Sequence, residues 1–191
     1  QEGKIYGLVG NNGSGKTMLM KCVCGFIHPT SGIVTADEKV IGKDVDYLPD
    51  AGVIIETPGF ISYYSGLQNL KVLAGIKNKI GISQISNAMK RVGLDPDLKL
   101  PVKKNSLGMR QRLGLAQAIM ESPSVLILDE PMNGLDKNGV EEIRQLLLSM
   151  KNDHRTIVIA SHNAEDIQVL CDEVYEMENG KLEVNSIKQQ I

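Results

Sequence analysis

The sequence predicts an α/β fold: a mainly parallel sheet around a glycine-rich loop, with a helical subdomain inserted into it. Three observations carry this. An apolar strand pattern, Ile5–Val9, runs straight into a glycine-rich turn and then a helical pattern. Two further apolar runs, Ser124–Leu128 and Thr156–Ala160, alternate with a helical pattern in the last third, and the second is continuous, as strands buried on both faces of a parallel sheet are. Between Pro58 and about Pro101 the chain shows helical periods broken at Gly66, Gly75, Gly81 and Gly93, with no further strand–helix alternation.

Taken in order, Met18–Cys24 is apolar at helical spacing up to Gly25 and the turn Pro29-Thr30-Ser31-Gly32. Cys22 and Cys24 point in different directions on such a helix and are expected to pack rather than to ligate. Gly32–Thr35 and Ala51–Glu56 are expected as strands joined by a polar stretch around Gly42-Lys43-Asp44, the chain crossing a sheet there. Leu67–Ala74 and Ser83–Val92 are expected helices, and another runs from Ser106 through Ala116. In Lys137–Met150, Ile143, Leu146, Leu147 and Met150 share one helical face. Val174–Leu182 reads as a hairpin about Asn179-Gly180. The α/β core is therefore assigned to residues 1–56 and 121–191 and the helical subdomain to 57–120 of one domain.

Composition narrows the function classes. Lys plus Arg is 21 and Asp plus Glu 23 over 191 residues, a net charge of -2 that gives no electrostatic case for coating a nucleic acid, and none is expected as a partner. Hydrophobic residues make up 42% and charged ones 23%, the balance of a folded domain rather than a disordered chain. No apolar stretch approaches the length of a membrane-spanning helix, and the first residues lack the pattern of a secretory signal. Three cysteines, Cys22, Cys24 and Cys171, form neither an even-numbered framework nor a CxxC pair, so disulfide and zinc scaffolds are unsupported.

Gly10-Asn11-Asn12-Gly13-Ser14-Gly15-Lys16-Thr17 satisfies G-x-x-x-x-G-K-[ST] between a predicted strand and helix. Its glycines let the backbone curl with N–H groups turned inward on phosphate oxygens, and the following helix N-terminus adds positive potential. Lys16 is expected at the β- and γ-phosphates and Thr17 on Mg2+. Asp129 ends a buried strand, where a carboxylate is costly unless a cation pairs with it, and is a second candidate Mg2+ residue. Glu130 beside it is the candidate general base for an attacking water. His162 lies two residues past the next strand, at the same carboxyl edge, within expected reach of the γ-phosphate or that water. His28 and His154 flank turns and carry no such argument.

With these residues in place the chain resembles the nucleotide-binding domain of an ATP-binding cassette (ABC) transporter, a P-loop NTPase core with an inserted helical subdomain. Besides the loop at 10–17 and the Asp-Glu-Pro box at 125–131, Asn105-Ser106-Leu107-Gly108-Met109-Arg110-Gln111-Arg112 resembles that family's LSGGQ signature with its following Gln-Arg pair. Asn133-Gly134-Leu135-Asp136 resembles its inter-subunit loop, and His162 its switch histidine. The resemblance implies Mg2+-dependent ATP hydrolysis by two cassettes packed head to tail, as a homo- or heterodimer that drives a separate transmembrane permease. Asn11 to Met18 would cradle one ATP, while Ser106 and Gly108 would reach the γ-phosphate of the partner's. It further implies a peripheral position on the cytoplasmic side of a bacterial membrane. Taken without the family, Ser106 is a helix cap.

The departures are specific. Positions 105, 107 and 109 hold Asn, Leu and Met where the family has Leu, Gly and Gln, and Met18 stands where a second threonine is common. Glu56 occupies the place of the family's lid glutamine, retaining a metal-binding oxygen but losing an amide donor. Glu56-Thr57-Pro58-Gly59-Phe60 resembles a branch of bacterial cassettes that export peptide antibiotics and lantibiotics. The family places two or three strands and an adenine-stacking aromatic before Ile5, and four residues precede it here, so the chain is expected to be N-terminally incomplete. Two other readings stand beside this one: a soluble cassette ATPase serving the ribosome, DNA or a cofactor-assembly machine, and a nucleotide-gated module without turnover, which Glu130 and His162 argue against.

Overall fold

The computed structural model describes residues 1–185. Six strands form one sheet in the order β4-β5-β6-β1-β7-β8: β4 (Ala51–Ile54), β5 (Val125–Asp129), β6 (Thr156–Ala160), β1 (Ile5–Val9), β7 (Glu173–Glu178) and β8 (Lys181–Asn185). All neighbours are parallel except β7 and β8, the hairpin at Asn179-Gly180. The register aligns the carboxyl ends: Leu8 and Asp129 both pair with Ala160, and Ile54 with Leu128. Loops leaving β1, β4, β5 and β6 therefore start along one edge, the place where open parallel sheets bind ligands.

Alternation along the strands divides the core. Leu126 and Leu128 of β5, with Ile157 and Ile159 of β6, enter a large cluster that includes residues of α4 (Leu107–Ile119), α5 (Lys137–Asn152) and α6 (Ala164–Leu170) and extends into the helices between β4 and β5. Ile127, Leu8 and Met177 face the other way and pack on Met20 and Cys24 of α1 (Lys16–Cys24). Burial there pushes the Cys24 thiol up to about 11, so it stays protonated and apolar at neutral pH.

Between β4 and β5 every regular element is helical: α2 (Gly66–Lys77), α3 (Ile82–Arg91), one turn of 3-10 helix at Val102–Lys104, and α4. The start of α2 is fixed by a capping box in which Ser65 Oγ accepts from Gln68 N and Gln68 Oε1 accepts from Ser65 N. Among the described residues no helix is long and apolar enough to cross a membrane.

Two expectations change. Gly32–Thr35 does not join the main sheet; only Thr35–Ala36 (β2) is extended, and it pairs with Lys39–Val40 (β3) in a separate two-stranded ribbon. The reason is local: Asp37 and Glu38 both adopt positive φ, closing a two-residue hairpin before the chain can reach a sheet neighbour. Helix α6 is an addition, seven residues capped by Asn163, whose side chain accepts from Glu165 N.

Helix α6 is anchored to α5 by a buried ion pair. Arg144 Nε and Nη2 donate to Asp166 Oδ1 at 2.9 and 2.6 Å, Nη1 reaches Glu165 at 3.2 Å, and Arg144 and Asp166 are 6% and 2% exposed. Hydrogen bonding and charge from Arg144 hold the Glu165 carboxyl below its usual range. Arg144→Met strands a buried carboxylate, an error worth about 3–5 kcal/mol. The expected outcome is a melting temperature roughly 10 °C lower in thermal denaturation, with Arg144→Met/Asp166→Leu recovering much of it.

Candidate functional site

Gly10 leaves β1 with φ 145, and Gly13 and Gly15 adopt φ 81 and 112, wrapping the loop over the start of α1. Lys16, only 7% exposed, folds back so that Nζ donates to the carbonyls of Gly10 at 2.7 Å and Asn11 at 3.0 Å. The ammonium is thereby held at the centre of the loop rather than in solvent. Ser14 Oγ is buried with no hydrogen-bond partner, and a side-chain atom added at Gly13 would meet nothing. An orphaned hydroxyl, an open glycine and a captive cation are what a polyphosphate would satisfy.

At the first turn of α1, Thr17 Oγ1 donates to Asp129 Oδ2 at 2.8 Å, joining the phosphate loop to the end of β5. One hydroxyl and one carboxylate are oxygen donors of the kind a hard cation such as Mg2+ takes. Glu56, the third expected metal residue, also lines the cleft, but its carboxylate is paired with Lys21 Nζ at 2.6 Å. Lys21 carries no motif signal; it is found only by folding α1 alongside the loop after β4. Met18 faces the same cleft and is 56% exposed.

Glu130 follows Asp129 in a left-handed backbone, φ 50, a conformation that costs a non-glycine residue on the order of 1–2 kcal/mol. It is held by Glu130 N donating to Ala160 O at 2.9 Å and by Glu130 O accepting from Asn133 N at 3.1 Å. Its carboxylate meets His162 twice, accepting from the backbone N at 3.0 Å and lying 2.9 Å from Nδ1. The structure thus brings Lys16, Thr17, Asp129, Glu130 and His162 to one sheet edge. Asn12, Gly13, Gly15, Lys16, Thr17 and Glu130 line a cleft of about 440 Å³.

Ser106 and Gly108 are placed apart from this group at the start of α4, where Ser106 Oγ caps the helix by accepting from Met109 N at 3.1 Å. The cap leaves its hydroxyl proton free to donate. Sequence reasoning gave no role to Gln111, whose Nε2 donates to both Glu130 O and Pro131 O. The signal for it was its place in the Gln-Arg pair after the signature.

A phosphate loop, a Thr–Asp pair beneath it and a Glu–His pair at the adjoining strand ends define a P-loop nucleotide-binding domain. The chain belongs to the ABC transporter family, whose model matches residues 1–133, and it is an ATP-binding domain of the ABC ATPase type. It is 44% identical over 185 residues to the uncharacterized ABC transporter ATP-binding protein YybJ of Bacillus subtilis, covering 97% of this chain and 85% of YybJ. It is 42% identical to the bacitracin transport ATP-binding protein BcrA of Enterococcus faecalis, covering 96% of this chain and 61% of BcrA. With the lantibiotic transport ATP-binding protein SrtF of Streptococcus pyogenes it shares 38% identity, over 95% of this chain and 78% of SrtF. The chain thus spans about three fifths of BcrA.

Among solved structures, CbiO1 of Clostridium perfringens, part of the ABC transporter complex CbiONQ, superposes with a TM-score of 0.79 at 31% identity, covering 96% of this chain and 76% of CbiO1. The dimeric post-hydrolysis state of the cassette MJ0796, bound to ADP and Pi, gives a TM-score of 0.83 at 20% identity, over 96% and 86% of the two chains, a likeness of fold. Family, fold class and ATPase type expected from the motifs are borne out.

Proposed function

We propose that this chain hydrolyses ATP with Mg2+ as one half of a head-to-tail cassette pair that drives a separate transmembrane permease from the cytoplasmic face of a bacterial membrane. The observation that carries it is the convergence of the phosphate loop, the Thr17–Asp129 contact and the Glu130–His162 pair at one sheet edge. Relatives named for bacitracin and lantibiotic transport support a peptide-antibiotic cargo.

In this reading Asn11 to Met18 wrap the triphosphate, and Lys16 Nζ trades the Gly10 and Asn11 carbonyls for β- and γ-phosphate oxygens. Thr17 and Asp129 would hold Mg2+, which would supply charge neutralisation at the phosphates when bound. Glu56 joins the metal side of the cleft by releasing Lys21. Glu130 accepts the proton of the attacking water, and His162 keeps its carboxylate aimed. Ser106 and Gly108 present a hydroxyl and a helix N-terminal amide to the partner's γ-phosphate. The helical segment 57–120 is the proposed permease-docking lobe.

Asp129→Asn tests the metal reading. It keeps an oxygen for Thr17 but removes the charge, so the Mg2+ concentration giving half-maximal ATP hydrolysis should rise about 10- to 100-fold, as expected for losing a charged contact. An unchanged Mg2+ requirement would take Asp129 out of the metal site.

A further inference from the structure

The start of α4 touches the loop after Asp129 at three points. Gln111 Nε2 donates at 3.1 Å to Glu130 O and at 3.0 Å to Pro131 O, so one side-chain amide spans two consecutive carbonyls. Pro131 has no N–H with which to close this turn itself. Three residues on, the Leu107 side chain lies over Gly134, where an added Cβ would come within 2.5 Å of Leu107 Cγ. Gly108 also packs closely on this loop: its missing Cβ would lie 2.9 Å from Gly134 O. The leucine that departs from the signature pattern is thus accommodated within its own chain, by a glycine in the neighbouring loop.

These contacts bear on a strained residue of the site, Glu130, which shares its left-handed backbone with Glu56 across the cleft. Glu130 has φ 50, and such a backbone persists only where its surroundings over-determine it. Gln111 is the side chain that secures its carbonyl. We propose that Gln111 is a positioning residue for hydrolysis: with Leu107 packed on Gly134, it joins the Ser106–Gly108 segment and the Glu130 loop into one body. In a head-to-tail pair, seating Ser106 and Gly108 on the partner's ATP then sets Glu130 against the water at this chain's own ATP. The inference rests on the reading of Glu130 as the base and deepens it.

The test compares Gln111→Leu, Gln111→Glu and Gln111→Lys with Glu130→Gln in the whole protein. Leu and Glu remove both donors, and Glu does so with little change of shape; Lys restores donors at similar reach. A misplaced base should cost about 10²-fold in kcat for the first two, with KM, fluorescent-ATP binding and melting temperature unchanged, and substantial recovery in Gln111→Lys. Wild-type kcat in Gln111→Glu beside an inactive Glu130→Gln overturns the proposal. So does a loss of kcat that tracks weaker ATP binding and a lower melting temperature, which marks a general structural role. Turnover surviving in Glu130→Gln itself would instead bring down the reading of the base, and this inference with it.

Discussion

Glu130→Gln is expected to cut ATP turnover by about 10²- to 10⁴-fold, the range that a positioned general base contributes, while leaving ATP binding intact. The substitution is close to isosteric. Its amide oxygen can still accept from His162 N, now 3.0 Å away, and the backbone bond from Glu130 N to Ala160 O does not involve the side chain. Only basicity is lost, because an amide does not take a proton at neutral pH. ATP bound but not consumed should hold a closed pair together, so the light-scattering mass of the variant should double with Mg-ATP and stay single without it. Phosphate release and fluorescent-nucleotide binding separate the two effects. Retained turnover would assign the base elsewhere. No mass shift with binding intact would mean that self-association is insufficient, and that a different cassette or the membrane subunit completes the sandwich.

The site's chemistry was legible in the sequence because it depends on residues adjacent in the chain and on strand ends marked by apolar runs. Gly10–Thr17, Asp129-Glu130 and His162 each follow such a run, and a parallel register brings their strands level. What periodicity does not carry is contact between elements distant in sequence. Lys21 reaches Glu56 and Gln111 reaches Glu130 only once α1 and α4 are packed; Lys21 leaves no signal in its own segment, and the Gln-Arg pair marks Gln111 without naming its partner. The β2–β3 ribbon was misassigned for a different reason. Ile33-Val34 has the composition of a strand, but Asp37 and Glu38 turn the chain left-handed just beyond it, and acidic residues are weaker markers of that backbone than Asn-Gly. The short helix α6 escaped because seven residues are less than the window over which helical periodicity shows; Asn163, its cap, was the available sign.

Gly10→Ala is expected to be the most damaging change in the phosphate loop, and Gly13→Ala far milder, although both glycines have positive φ. The motif pattern fixes glycine at 10 and 15 and leaves 13 open; the packing explains why. A Cβ at Gly10 would overlap the backbone carbonyl of Met177 in β7 and crowd Ser14 Oγ at 2.9 Å. A strand backbone in mid-sheet cannot yield, so the loop itself must move, at a cost of roughly 3 kcal/mol or more. Displacing it would also pull the Gly10 carbonyl off Lys16 Nζ and tilt the inward N–H groups, so ATP binding and stability should fall together. At Gly15 the obstacle is Met177 Cε at 2.9 Å, the far end of a flexible side chain that can swing aside. At Gly13 nothing lies within reach, leaving about 1–2 kcal/mol of backbone strain. Thermal denaturation with fluorescent-ATP titration of the three alanine variants should therefore rank the damage Gly10, then Gly15, then Gly13. Equal damage at 10 and 13 would mean that backbone freedom rather than the Met177 carbonyl governs the loop.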